Sequence, residues 1–199
     1  MSVDGATNKQ GQRIHSRKMT KYTNEELKEG SKHLLYEITM MEQDLRVIRS
    51  ILAAEKTPLK HYISPFLNSF FIHARCIYEF LFEDKNRFPD DIKPSDYAEI
   101  EKWKKPNLPE ELKKWKTEID KRVVHLTFHR LEIEEIKKRW EVGYIYLELQ
   151  KALLAFYRWV PISNICDAFI EEREHALEEA ESKHRGTISK EIITGTSTD

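Results

Sequence analysis

An all-α fold follows from three features of this 199-residue sequence. Apolar residues recur at helical spacing through most of the chain. Gly and Pro number only six and seven. Charged residues reach 34% against 40% hydrophobic, the balance of helices with one solvated side. The expected architecture is a single-domain bundle of about five helices, with one long loop between the second and third. The expected boundaries are a flexible arm over 1–21, a helical bundle domain over 22–184 and a disordered tail over 185–199.

Charge and composition narrow the function classes. Net charge is −1, from 33 basic and 34 acidic residues, so no global field steers the chain to nucleic acid or to an anionic membrane. The two cysteines, Cys76 and Cys166, lie in apolar contexts and read as reduced core residues of an intracellular protein. Met1 to Lys21 lacks the apolar core of a secretory signal, and a cytoplasmic location is expected. No membrane association is expected. The most apolar run, Phe66 to Phe82, is interrupted by His73, Arg75 and Glu79 and is at the short limit for crossing a bilayer.

The first helix is expected to begin at Thr23, where Thr23-Asn24-Glu25-Glu26 forms a capping-box pattern. Leu27, Leu34, Met41 and Ile48 recur at heptad spacing, and Ile38, Leu45 and Leu52 complete an a/d seam with one polar gap at Ser31. Extra apolar positions at Leu35, Val47 and Ile51 widen the seam, which favours packing within a bundle over a dimeric coiled coil. Thr57-Pro58 stops the helix, and Ser64-Pro65 starts the next. On that second helix, Phe66, Phe70, His73, Ile77 and Phe80 form one stripe, and Leu67, Phe71, Ala74, Tyr78 and Leu81 form a second beside it. Asn68, Arg75 and Glu79 share the remaining side, with Arg75 and Glu79 at pairing distance along the helix.

The long loop from Asp84 to Asn107 is expected to be packed down by Tyr97, Ile100 and Trp103, with a short helical turn near Ser95. Asp90-Asp91 in this Pro-containing stretch reads as turn and capping chemistry. Leu108-Pro109-Glu110-Glu111 opens the third helix, whose buried stripe is Leu112, Trp115, Ile119, Val123 and Leu126. The fourth helix, Trp140 to Trp159, turns Val142, Ile145, Leu149, Leu153, Phe156 and Val160 to the core. Pro161 ends it, and Ser163 is expected to cap a last helix through about Lys183 with Ile165, Cys166, Phe169 and Leu177 inward.

Two polar constellations are candidates for chemistry. His125, His129 and Glu132 fall on one face of a continuing third helix, a spacing that two imidazoles and a carboxylate could use for a metal. A His-Glu-x-x-His pattern is absent, so neither a metal site nor a cofactor is expected. His73 sits on an apolar stripe, where a lone histidine is usually a satisfied core residue. The sharper reading brings His73 and Arg75 to Arg122, His125 and Arg130 in a cluster that would bind a phosphate or carboxylate.

Phe71-Ile72-His73-Ala74-Arg75 with Phe80-Leu81, Asp90-Asp91-Ile92 with Asp96-Tyr97, and His125-Leu126-Thr127 with Arg130 resemble a family of uncharacterised bacterial helical proteins. In that family an F-x-H-A-R helix and an H-L-T helix recur, and the resemblance spans roughly Ser64 to Arg130. It implies no activity. It places His125 and Arg130 at the family's polar positions and leaves His129 particular to this chain. A looser similarity is to HEPN domains, helical bundles that often act as ribonucleases. Arg122 and His129 satisfy their Arg-to-His spacing, whereas the commoner Arg-Asn-x-x-x-His form fails because the position five before His125 is Asp120. That similarity implies a homodimer in which histidine is the base on an RNA ribose 2′-hydroxyl and arginine holds the phosphate. Two functions therefore stand at the level of sequence. One is a non-catalytic interaction or structural bundle. The other is a HEPN-like ribonuclease or phosphate-binding module using His125 or His129 with Arg122.

Overall fold

A computed structural model of the chain describes residues 21–54, 63–83, 88–97, 104–120 and 142–194, with the backbone alone for 184–194. It is all-helical over these residues. The elements are α1 (Asn24–Ala53), α2 (Ile63–Phe82), α3 (Pro94–Tyr97), α4 (Glu110–Ile119), α5 (Val142–Trp159) and α6 (Asp167–Thr194), with a 3-10 turn at Ile162–Asn164 between the last two. Five long helices and the four-residue α3 thus match the expected bundle.

The start of α1 is the capping box: the Glu26 amide donates to Thr23 Oγ1 at 3.2 Å and the Thr23 amide donates to Glu26 Oε2 at 2.8 Å. Its buried stripe follows the seam through Leu27, Leu34, Ile38, Met41, Leu45 and Ile48. Two departures have physical causes. Leu52 is 60% exposed and Ile51 is buried instead. A helix of 3.6 residues per turn drifts by about 20° per heptad against a seven-residue repeat, so the inward direction has rotated by the end of α1. Ser31, the polar gap, is 0% exposed. Its hydroxyl donates to the Lys28 carbonyl at 2.7 Å and accepts the Cys166 amide at 2.9 Å. A side chain of α1 thereby satisfies a backbone donor just ahead of α6, where helices leave N–H groups without partners.

Three contacts set the topology. Glu37 meets His73, while Asp44, two turns on, meets Ser69, so α2 runs antiparallel to α1. Glu42 meets Tyr146 and Gln150, while Ser31 meets Cys166 beyond the far end of α5, so α5 is also antiparallel to α1. Tyr157 contacts both Phe169 and Arg173, which turns α6 back along α5 and parallel to α1. Buried Phe70, Phe71, Ala74, Ile77, Tyr78, Leu81 and Phe82 make α2 the packing centre. Each such large side chain contributes about 1.5–3 kcal/mol. Phe71 and Tyr78 meet Trp115 of α4, with ring centroids 6.2 Å and 6.3 Å apart. Phe80 meets Phe156 of α5 at 5.2 Å and Tyr97 at 6.1 Å.

In the described part of the connection between α2 and α4, Tyr97 packs down as expected. Tyr97 is buried, its hydroxyl donates to the Leu27 carbonyl at 3.1 Å, and its own carbonyl accepts from Asn164 at 2.8 Å. Asp91 closes a turn by accepting the Phe88 amide at 2.9 Å, the turn chemistry read from Asp90-Asp91. Ile100 and Trp103 lie outside the described residues, as do Val123 and Leu126, all of the arm over 1–21 but Lys21, and the Thr57-Pro58 stop. The last helix starts at Asp167 and not at Ser163, which belongs to the 3-10 turn. The helical backbone of this last element continues to Thr194. Cys76 corrects another expectation. It is exposed, because position 76 follows Asn68 and Ile72 on the outward side of α2, and Cys166 is half-buried; both thiols are free.

Gly30 is required by close packing. A Cβ there would stand 2.5 Å from Ile92 Cδ1 and 2.9 Å from the Tyr97 hydroxyl, whereas one at Gly143 would meet nothing within 4 Å. Gly30→Ala is expected to destabilise the protein by about 1–2 kcal/mol, since the clash outweighs the gain in helix propensity. Gly143→Ala is expected to stabilise it by about 0.5 kcal/mol. Urea unfolding of the two variants beside the wild type measures both.

Candidate functional site

His73 and Arg75 are two residues apart on α2, so their side chains leave the helix about 200° apart. His73 turns to α1. Its Nδ1 lies 2.7 Å from Glu37 Oε2, and the exposed Tyr36 ring stands edge-on to the imidazole at 5.8 Å. A carboxylate only accepts, so the proton of this contact sits on Nδ1 and fixes the ring's orientation. Arg75 turns to α4. Its Nη2 lies 2.8 Å from Glu79 Oε1, the pairing read from their spacing, and its Nε lies 2.9 Å from Asp120 Oδ1. Lys116 joins the same group, 2.7 Å from Asp120 Oδ2, 3.1 Å from Glu83 and 3.7 Å from Glu79. Burial opposes the Lys116 charge, yet hydrogen bonds to Asp120 and Glu83 hold its pKa above the ordinary lysine value.

The network therefore sets two cations against three carboxylates. An incoming phosphate would have to displace Glu79 and Asp120 from Arg75, or Glu37 from His73. The structure does not bring His73 and Arg75 into one site. Arg122, His125, His129 and Arg130 lie outside the described residues. Among the described residues, no three His, Cys, Asp or Glu side chains are grouped to hold a metal ion, and no helix is long and apolar enough to cross a membrane.

A buried carboxyl group was not singled out from the sequence. Asp44 is 5% exposed at the α1–α2 seam, and its Oδ2 has no hydrogen-bond partner. Burial raises its pKa, against the opposing effects of a Ser69 hydrogen bond and the His73 charge. A local signal existed: Asp44 falls three residues after Met41 and four before Ile48, on the buried stripe. Glu37 carried no comparable signal, because its partner is 36 residues away. Cys76, beside Glu37, is a poor nucleophile. Its residue surface is exposed, but the sulfur itself is desolvated, and this effect together with the Glu37 and Glu79 carboxylates pushes the thiol up to about 11.

No family model, curated protein or solved structure matches the chain.

The raised pKa gives Asp44 a signed pH dependence. Its contribution to stability is fully present below the unfolded carboxyl value and is lost as pH rises through the native one. Asp44→Asn is expected to remove that slope and to stabilise the fold by about 1 kcal/mol at neutral pH, as followed by urea unfolding across the acid range. Ser31→Ala has the opposite sign. It leaves the Cys166 amide unpaired and is expected to cost about 1–3 kcal/mol in the same assay.

Proposed function

We propose that the chain is a non-catalytic helical-bundle interaction protein whose His73 and Arg75 fix the arrangement of its helices. The observation that supports this reading is that both side chains are held by carboxylates of the chain itself, on different flanks of α2, at 2.7 to 2.9 Å. A site that takes an anion presents cationic donors to it; here Glu37 of α1, Glu79 of α2 and Asp120 at the end of α4 already stand against these side chains. Half-buried ion pairs of this kind specify how helices meet more than they stabilise the fold. The surface available for association includes Tyr36 on α1 and Ile72 on α2, 55% and 48% exposed and close to His73. A homodimer is the first assembly to test.

The competing reading, a HEPN-like ribonuclease or phosphate-binding module, rests on Arg122, His125 and His129. RNA cleavage by the wild type, His125→Ala and His129→Ala separates the two. Cleavage that is absent, or equal in all three, is expected. Cleavage by the wild type that either substitution abolishes would overturn the non-catalytic reading. Sedimentation of the wild type over a concentration series should show self-association, weakened by Tyr36→Ser with Ile72→Ser; a monomer at every concentration would exclude the homodimer.

A further inference from the structure

Among the described residues, α2 is the one long helix whose exposed side carries no charge. Its exposed residues are Pro65, Asn68, Ile72 and Cys76, while His73, Arg75 and Glu79 are half-buried. The other four each expose charged side chains, among them Lys28 of α1, Lys113 of α4, Lys151 of α5 and Glu171 of α6. Charged residues make up 34% of the chain, so a helix flank without one stands apart from the rest of the surface. The neutral strip continues on α1. Between His33 and Arg46 its exposed residues are Tyr36, Thr39 and Gln43, whereas Glu37, Glu42 and Asp44 are buried or half-buried. The antiparallel pairing of the two helices lays these strips side by side. Tyr36 stands against His73, the neighbour of Ile72, and Asp44 meets Ser69, the neighbour of Asn68, which sets Gln43 level with Asn68.

We propose that this neutral α1–α2 face pairs with the same face of a second copy of the chain, about a twofold axis near its centre. The pairing rests on the interaction role given above and adds the face and the symmetry. Tyr36 and Ile72 supply the apolar centre. Interface centres are depleted in charge and enriched in tyrosine, with charged residues at the rim, and here His33 and Arg46 bound the strip on α1.

Neutrality suits the face to a copy of itself. A twofold axis sets each patch against an identical patch, so a patch of one sign would be repelled. The polar side chains here are also self-complementary. The Gln43 and Asn68 amides and the Tyr36 and Thr39 hydroxyls each both donate and accept hydrogen bonds, so like groups can pair. The chain carries a net charge of only −1, and no long-range field keeps two copies apart. The charges nearest the face are already matched within the chain, His73 by Glu37 and Arg75 by Glu79 and Asp120, so covering the face strands none of them.

Sedimentation velocity of the full chain over a concentration series tests the pairing, with charges of either sign placed at exposed Gln43. Gln43→Lys and Gln43→Glu are each expected to weaken self-association by about tenfold, because the symmetry brings each new charge against its copy. An equimolar mixture of the two variants is expected to associate as the wild type does, through mixed dimers, and that recovery also shows that both variants fold. Leu147→Lys, at an exposed apolar position of α5, is expected to leave association unchanged. A monomeric wild type, self-association that neither Gln43 charge weakens, a mixture as weak as its components, or an equal loss in Leu147→Lys would overturn the proposal. RNA cleavage judges the non-catalytic role separately, so that role can stand where this face fails.

Discussion

The need to bury α2 governs the rest of the structure. The helix is apolar on two adjoining stripes, so no single neighbour can cover it. α1 lies antiparallel along it, Trp115 of α4 closes over Phe71 and Tyr78, and Phe156 of α5 packs against Phe80. Tyr97 is drawn in from the α2–α4 connection to complete the same aromatic group, standing 5.7 Å from Phe156. Its hydroxyl then needs an acceptor, which the Leu27 carbonyl supplies, and that approach leaves room only for glycine at position 30.

Packing on several sides brings polar groups into seams where water is scarce, and the chain answers most of them with its own side chains. Glu37 holds His73, while Glu79 and Asp120 hold Arg75. Glu42 takes two donors of α5, and Ser31 takes the amide that precedes α6. These contacts link elements distant in sequence and so fix which helix faces which. Among the described residues three groups escape the matching: Asp44 Oδ2 between α1 and α2, the Trp115 indole nitrogen of α4, and the Tyr157 hydroxyl between α5 and α6. Each lies where an unpaired polar atom works against burial, and the Asp44 carboxyl itself has its pKa raised by that burial.

The seam of α1, the two stripes of α2, the inward faces of α4 and α5 and the Arg75–Glu79 pair were legible because each is a periodic or local pattern. A helix turns by the same angle at every residue, so spacing alone says which side chains share a face. Local chemistry was legible for the same reason, in the Thr23–Glu26 capping box and the Asp91 turn. Periodicity does not say what the neighbouring helix brings to that face. It gave no reason for Ser31 to be a buried hydrogen-bond centre, and it placed Cys76 in the core because the surrounding run is apolar. It set His73 and Arg75 on different sides of α2 without saying what either would meet. The tertiary structure supplied Glu37 on one flank of α2 and Asp120 on the other. The sequence by itself determined the helices and their inward faces. Only the folding of distant segments against one another decided which charges meet, because an ion pair depends on distance in space and not on separation along the chain.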